Sequence, residues 1–184
     1  MTISTQAHAE AAKAVFAGGC FWCMESEFEE VGGIIAAVSG YIGGNADDAN
    51  YEAVSAHKTN HIEAVEISYD PAITSYEKLL KIYWGNIDPL DAGGQMFDRG
   101  AQYATVIYYG NEAEKKLAEA SKAKVAEKLG QQVAVRIEPL TPFYVAEDYH
   151  QNYYKTNTAH YQAYSQGSGR KAKIKKIWDG KSLD

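Results

Sequence analysis

The chain alternates between short apolar runs closed by glycine and longer stretches in which apolar residues recur every three or four positions. "AVFAGG" (Ala14 to Gly19) reads as a short buried strand ending in glycines, with Cys20 at or near the N-terminus of the helix that follows. Phe21, Met24 and Phe28 give that helix an apolar stripe, and Glu25, Glu27, Glu29 and Glu30 fall largely outside it. "GIIAAVSGYIGG" (Gly33 to Gly44) predicts a strand and a glycine turn, and "NADDANYEAVSAHKTN" predicts a loop with about one helical turn. "HIEAVEISYD" (His61 to Asp70) alternates, which puts Glu63, Val65, Ile67 and Tyr69 on one face of a strand. Thr74 and Glu77 form a capping box for a helix over "SYEKLLKIYWGNI". "GGQMFDRG" reads as a glycine-bearing loop and "AQYATVIYYG" as a strand. Asn111 and Glu114 cap a helix that ends at Gly130, "VAVRIEPL" is a further strand, "AEDYHQNYY" a short helix, and the remainder a long coil. This order of elements predicts an α+β, two-layer sandwich with helices on one face of a mostly antiparallel, mixed sheet.

With 184 residues, no internal repeat and no linker, the chain is expected to form a single domain over residues 1–184. No apolar run approaches the ~20 residues of a membrane span. The opening "MTISTQAHAEAAKA" lacks the basic and apolar blocks of a secretory signal, so a loose leader of a cytoplasmic protein is expected. The net charge of −6 speaks against nucleic acid as the main partner. Six of the 18 Lys and Arg lie in the closing "RKAKIKKIWDGKSLD", which reads as a solvated basic tail.

Only two cysteines are present, Cys20 and Cys23, spaced C-x-x-C with Phe21 and Trp22 between them. Two cysteines do not staple a secreted domain, and a close pair points to redox or metal chemistry. A helix N-terminus favours a thiolate at Cys20, and Cys23, one turn on, is placed to resolve an oxidised Cys20. Three other readings compete. His57 and His61 have the i, i+4 spacing of zinc ligands, although the gap from Cys23 far exceeds that of a zinc finger. A thioredoxin-like exchanger usually has small residues or proline between its cysteines. Two buried core thiols are the plain structural alternative. Glu63, taken alone, also reads as a solvated glutamate on a strand, and Asp98 as a loop residue capping a turn.

The segments "GGCFWCMESEFEEVGGI", "GYIGG", "YEAV", "HIEAVEISYDP", "YEKLLKIYWGNIDP", "DRGAQY" and "TPFYVAEDYHQNYY" together resemble, over about residues 14–156, the peptide methionine sulfoxide reductases of the A type. The resemblance implies a sandwich with a ferredoxin-like core. It implies reduction of methionine S-sulfoxide, free or in oxidised proteins, by a monomeric enzyme recycled by thioredoxin without metal or cofactor. It also implies residue roles. Cys20 would attack sulfur and Glu63 would deliver the proton. Tyr51 and Tyr103 would bond the sulfoxide oxygen, Asp98 would help build the site, and Phe21 and Trp22 would receive the methyl group. His150 is expected to be structural. Many members have Gly at the position of Cys23 and a resolving cysteine near the C-terminus, where this tail has none. Many also have His where Ile87 stands. The competing class is a non-catalytic peptide-binding domain that uses its aromatics and carries incidental cysteines.

Overall fold

The structure is a computed structural model, and residues 10–183 are described. Residues 1–9 of the leader expected over residues 1–14 lie outside them, and its last three, Ala12 to Ala14, are the start of the first strand rather than a loose leader. Strands β1 (Ala12–Gly18), β2 (Ile34–Ile42) and β3 (Ile62–Tyr69) come first, with helix α1 (Phe21–Glu29) between β1 and β2 and helix α2 (Tyr51–Ser55) between β2 and β3. Helix α3 (Tyr76–Gly85) follows, then a two-residue hairpin of β4 (Gly94–Gln95) and β5 (Asp98–Arg99). Strand β6 (Thr105–Tyr109), helix α4 (Glu112–Leu129), β7 (Arg136–Pro139) and β8 (Phe143–Val145) complete the sheet. Helices α5 (Tyr153–Thr156), α6 (Thr158–Gly167) and α7 (Arg170–Ile177) close the chain.

The six-stranded sheet runs β7-β6-β1-β3-β2-β8, and only the β6–β7 pair is parallel. Both β1–α1–β2 and β3–α3–β6 therefore join parallel strands across one intervening antiparallel strand. Register sets the two faces. Phe16 pairs with Val65 and with Ile107, and these three belong to the core shared with Phe28, Leu79, Tyr83, Ala118 and Val125 from the helices. Val15, Ala17, Ala64 and Val106 belong to the opposite face. Phe16 is the hub on the helix side, its ring stacked on Phe28 at 5.5 Å and on Tyr83 at 5.3 Å. Helix α3 buries Tyr76, Leu79, Leu80, Tyr83 and Trp84, an i, i+3, i+4, i+7, i+8 stripe.

Several expected boundaries move. The N-cap of α3 is Ser75, which accepts from the Lys78 amide, and not Thr74. Thr74 is consumed by the preceding turn, where its N–H donates to the Asp70 carbonyl. The "AQY" of the expected strand is a 3₁₀ turn over Ala101–Tyr103. The expected helix over "AEDYHQNYY" is split into a 3₁₀ turn at Asp148–His150 and α5. Asn111 caps α4 by accepting from the Ala113 and Glu114 amides, and Gly130 ends it at φ 64°, both as expected.

The largest correction is the C-terminus. The expected long coil and solvated basic tail are three helices. Arg170, Ile174 and the Trp178 indole, which donates to the Trp84 carbonyl at 3.1 Å, tie them to the core. Helix α6 buries no residue fully, so it carries no apolar stripe to announce it.

One close approach holds the edge strand. A Cβ on Gly40 would sit 2.4 Å from the Tyr144 carbonyl oxygen of β8. Gly40→Ala is expected to push β8 away and to lower stability by roughly 1–3 kcal/mol, the cost of overpacking. Urea unfolding followed by far-UV circular dichroism reads this, and an unchanged midpoint would contradict it.

Candidate active site

Strand β1 ends in Gly18–Gly19, and the turn they make delivers Cys20 as the N-cap of α1, its carbonyl accepting from the Cys23 and Met24 amides. Gly19 has φ +84°, and a Cβ there would meet Gln95 Cβ at 2.6 Å, so the turn requires glycine on both counts. Gln95 is itself fixed, accepting from the Asp88 amide at 2.7 Å and donating to the Asp88 carbonyl at 2.9 Å.

Cys20, Phe21, Trp22, Tyr51, Glu63, Asp98, Tyr103 and Tyr164 line one cavity of about 160 Å³. Seven of these residues come from the sequence analysis. Glu63 lies on β3 directly across from Tyr41, on the side facing the helices, and is 3 % exposed. Its Oε2 accepts from the Phe21 amide at 3.0 Å, which joins β3 to the first turn of α1. Burial, then the nearby Asp98 and Cys23 charges, outweigh that bond and push its carboxyl up from the ordinary value near 4.5 to about 8. At neutral pH Glu63 is thus mainly a neutral acid. The solvated reading of Glu63 does not hold.

Cys20 does not follow the simple expectation of a helix-stabilised thiolate. Burial pushes its thiol well above the ordinary value, and the Cys23 sulfur, Glu63 and Asp98 add to the effect. The desolvation cost of an anion exceeds what one helix terminus returns. Cys23 moves the other way, because the Cys20 thiol donates to it and Arg170 lies close enough to act on it.

Trp22 is held on three sides. Its ring stacks on Tyr153 at 3.9 Å and 7°, its indole N–H donates to His150 Nδ1 at 3.1 Å, and Tyr164 stands edge-on to it. His150 is buried, and its ring also sits 4.9 Å from Phe21 and 4.7 Å from Tyr51. Glu147 accepts from the Tyr41 hydroxyl and from the Tyr51 amide, both at 2.8 Å. Glu25, fully buried in α1, accepts from the Ser39 hydroxyl and the Asn152 amide at 2.9 Å each. Asp98 accepts from the Tyr164 hydroxyl.

Glu147, Tyr153, Tyr164 and Arg170 were missed. The available signal was the spacing of Tyr161 and Tyr164 in "AHYQAYSQGSGR", one helical turn apart just ahead of a glycine-punctuated basic segment. His57 and His61 do not join the cysteines. His57 contacts the Gln102 amide, and His61 Nε2 lies 2.9 Å from the Asn45 carbonyl and 3.1 Å from Asp48. Among the described residues no three His, Cys, Asp or Glu side chains converge as metal ligands. No helix among them is long and apolar enough to cross a membrane.

The family model described as peptide methionine sulfoxide reductase matches residues 12–182. The chain belongs to that family. It is 49 % identical over 170 residues to the peptide methionine sulfoxide reductase MsrA of Bacillus subtilis, covering 91 % of this chain and 96 % of that one. Among solved structures it is similar to reduced Mxr1 of Saccharomyces cerevisiae, with TM-score 0.76 and 28 % identity over 84 % of this chain and 91 % of the other. It is likewise similar to methionine sulfoxide reductase A of Corynebacterium diphtheriae, with TM-score 0.72 and 27 % identity over 85 % and 79 % of the two chains.

The raised Glu63 carboxyl has a consequence for folding. Below pH 4.5 both folded and unfolded chains hold the proton. Between 4.5 and about 8 only the folded chain does, so the contribution of this group to stability is lost as pH rises through that window. In Glu63→Gln the glutamine oxygen can still accept from Phe21 N–H, and the loss disappears. Urea midpoints measured from pH 5 to 8 are expected to favour the glutamine variant increasingly toward pH 8, and a constant difference would refute the buried acid.

Proposed function

We propose that the cavity is the active site of a thiol-dependent methionine sulfoxide reductase, with Cys20 as nucleophile and Glu63 as proton donor. The observation that carries this reading is a neutral, buried carboxylic acid beside a cysteine in a cavity about large enough for one side chain. A sulfoxide oxygen leaves sulfur only if it is protonated as the thiolate attacks, and an acid still protonated near pH 7 is suited to that step.

The proposed reaction has two parts. Cys20 sulfur, as thiolate, attacks the sulfoxide sulfur while Glu63 protonates the oxygen. The oxygen passes to Cys20 as a sulfenic acid, the substrate sulfur gains two electrons, and methionine departs. The Cys23 sulfur then attacks Cys20 sulfur. The S–S bond forms, the S–O bond breaks, and the oxygen leaves as water. A dithiol, which we take to be thioredoxin, reduces the disulfide.

Phe21 and Trp22 form the wall suited to the methyl group, by burial and dispersion. Tyr51 and Tyr103, whose hydroxyls burial keeps protonated, are the donors available to the oxygen. Asp98, fixed by Tyr164, places a carboxylate where it raises Glu63. These contacts fix attack, methyl and oxygen at three points around sulfur, which supports discrimination between the two epimers. We assign the S epimer as substrate. The same reading takes residues 1–184 as one reductase domain, monomeric and cytoplasmic. The reading of the chain as a non-catalytic peptide-binding domain has no use for the thiol pair or for the neutral acid.

Glu63→Gln is expected to keep the fold and to slow single-turnover formation of methionine from methionine S-sulfoxide by about 10²–10⁴-fold, the usual range for general acid catalysis. A wild-type burst rate in this variant would end the assignment of Glu63. Cys23→Ser should still form about one methionine per chain and then stall with a sulfenic acid that dimedone traps, losing turnover with thioredoxin. Normal thioredoxin-dependent turnover by this variant would show that the reductant attacks Cys20 directly.

A further inference from the structure

The C-terminal segment brings a guanidinium to a place where proteins seldom put one. Arg170, the first residue of α7, is 4 % exposed. Its Nη2 donates to the Gly18 carbonyl at 3.0 Å, to the Asn86 carbonyl at 2.7 Å and to Met24 Sδ at 3.5 Å. Its Nη1 lies 3.6 Å from where a Cβ of Gly19 would stand, and its Nε is buried without a hydrogen-bond partner. The hydrogen-bond acceptors are thus two carbonyls and a thioether, not a carboxylate. A guanidinium cannot shed its proton in a protein, so the charge persists at this buried position. Burying it so is costly without a compensating anion.

The contacts of Arg170 bracket the two cysteines in sequence. Gly18 and Gly19 precede Cys20, and Met24 follows Cys23. The charged and titratable groups acting around Cys23 are Cys20 at the head of its own helix, Glu63 from β3, Asp98 from β5, Tyr161 and Tyr164 from α6, and Arg170 from α7. Arg170 is the one cation in that set.

We infer that Arg170 is a positioning residue of the second chemical step, holding a fixed positive charge beside Cys23 while its sulfur attacks the sulfenic acid of Cys20. This rests on the proposed reading of Cys23 as the resolving cysteine. The step needs Cys23 as thiolate, because the neutral thiol is a poor nucleophile. Once Cys20 carries oxygen, the thiol hydrogen bond that Cys20 gives Cys23 in the reduced site is gone, and the guanidinium, together with the smaller effect of the Tyr161 hydroxyl, remains to favour the anion. The products balance as before: one S–S bond forms, one S–O bond breaks, and the hydroxide takes up a proton to leave as water.

The test uses the full chain with Arg170→Gln, which retains amide donors without the charge, and Arg170→Lys, which keeps the charge. Each protein is mixed with excess methionine S-sulfoxide without reductant and acid-quenched across pH 5.5 to 9. Methionine formed and loss of the first thiol report the first step, and loss of the second thiol reports the second. Wild type is expected to form one methionine per chain and to go from two thiols to none. In Arg170→Gln the rate of loss of the second thiol at neutral pH should fall about tenfold more than the methionine burst, with its pH midpoint moved up by about one unit. Arg170→Lys should recover most of both. Equal slowing of the two steps in both variants, or an unmoved midpoint in Arg170→Gln, would reduce Arg170 to a packing role and overturn the inference. Retention of one thiol per wild-type chain would instead overturn the assignment of Cys23, and the inference with it.

Discussion

The hydrogen bond from the Phe21 amide to Glu63 is the contact on which the site depends. It closes a three-part arrangement: β1 delivers Cys20 through a glycine turn, α1 starts there, and β3 runs alongside with its carboxyl aimed at the helix start. One bond thereby sets where the acid lies relative to the thiol. It also accepts a conflict. A single neutral hydrogen bond cannot offset the removal of a carboxylate from water, so the acid keeps its proton. The neutral acid is a property of burial, and burial is a property of the whole sheet-and-helix core around Phe16.

Around that contact the molecule spends its polar side chains on fastening backbone, not on solvent. Gln95 ties the β4–β5 hairpin to Asp88 under the Cys20 turn. Glu147 joins β2 to the head of α2 and so places Tyr51. Glu25 joins α1 to β2 and to the entry of α5. The two glutamates are each an acceptor serving two donors from different elements, and Gln95 both accepts from and donates to Asp88, which fixes relative position more tightly than apolar packing alone. The outcome is a small cavity whose walls come from α1, α2, β3, the β4–β5 hairpin, the turn before β6, and α6.

The two thiols illustrate how sequence neighbours acquire different chemistry. Cys20 and Cys23 are three residues apart on one helix, yet burial among carboxylates raises one while a donated hydrogen bond and a nearby guanidinium lower the other. The helix terminus that both share does not distinguish them. The difference is made by the hydrogen bond between them, by Glu63 acting on Cys20 and by Arg170 acting on Cys23, and these last two lie 40 or more positions away along the chain.

What the sequence alone determined is local or periodic. Period-two alternation put Glu63 with Val65 and Ile67 on the inward face of β3, and an i, i+3, i+7 pattern with paired glycines placed Cys20 at the head of α1. The family resemblance identified seven of the eight cavity residues without any structure. Tertiary structure decided the rest. Helix α6 has no buried stripe, and its order comes from single tyrosine hydroxyls meeting Asp98 and Ser26 and from the start of α7 anchored by Arg170. Such contacts leave no periodic trace, because each depends on one partner far off in the chain, so a helical segment read as coil. Ser75 replaced Thr74 as a cap for a local reason, since a turn closing on Asp70, four residues back, had already taken Thr74. The protonation of Glu63 and Cys20 lies furthest from the sequence: it follows from the exclusion of water, and only the assembled core excludes it.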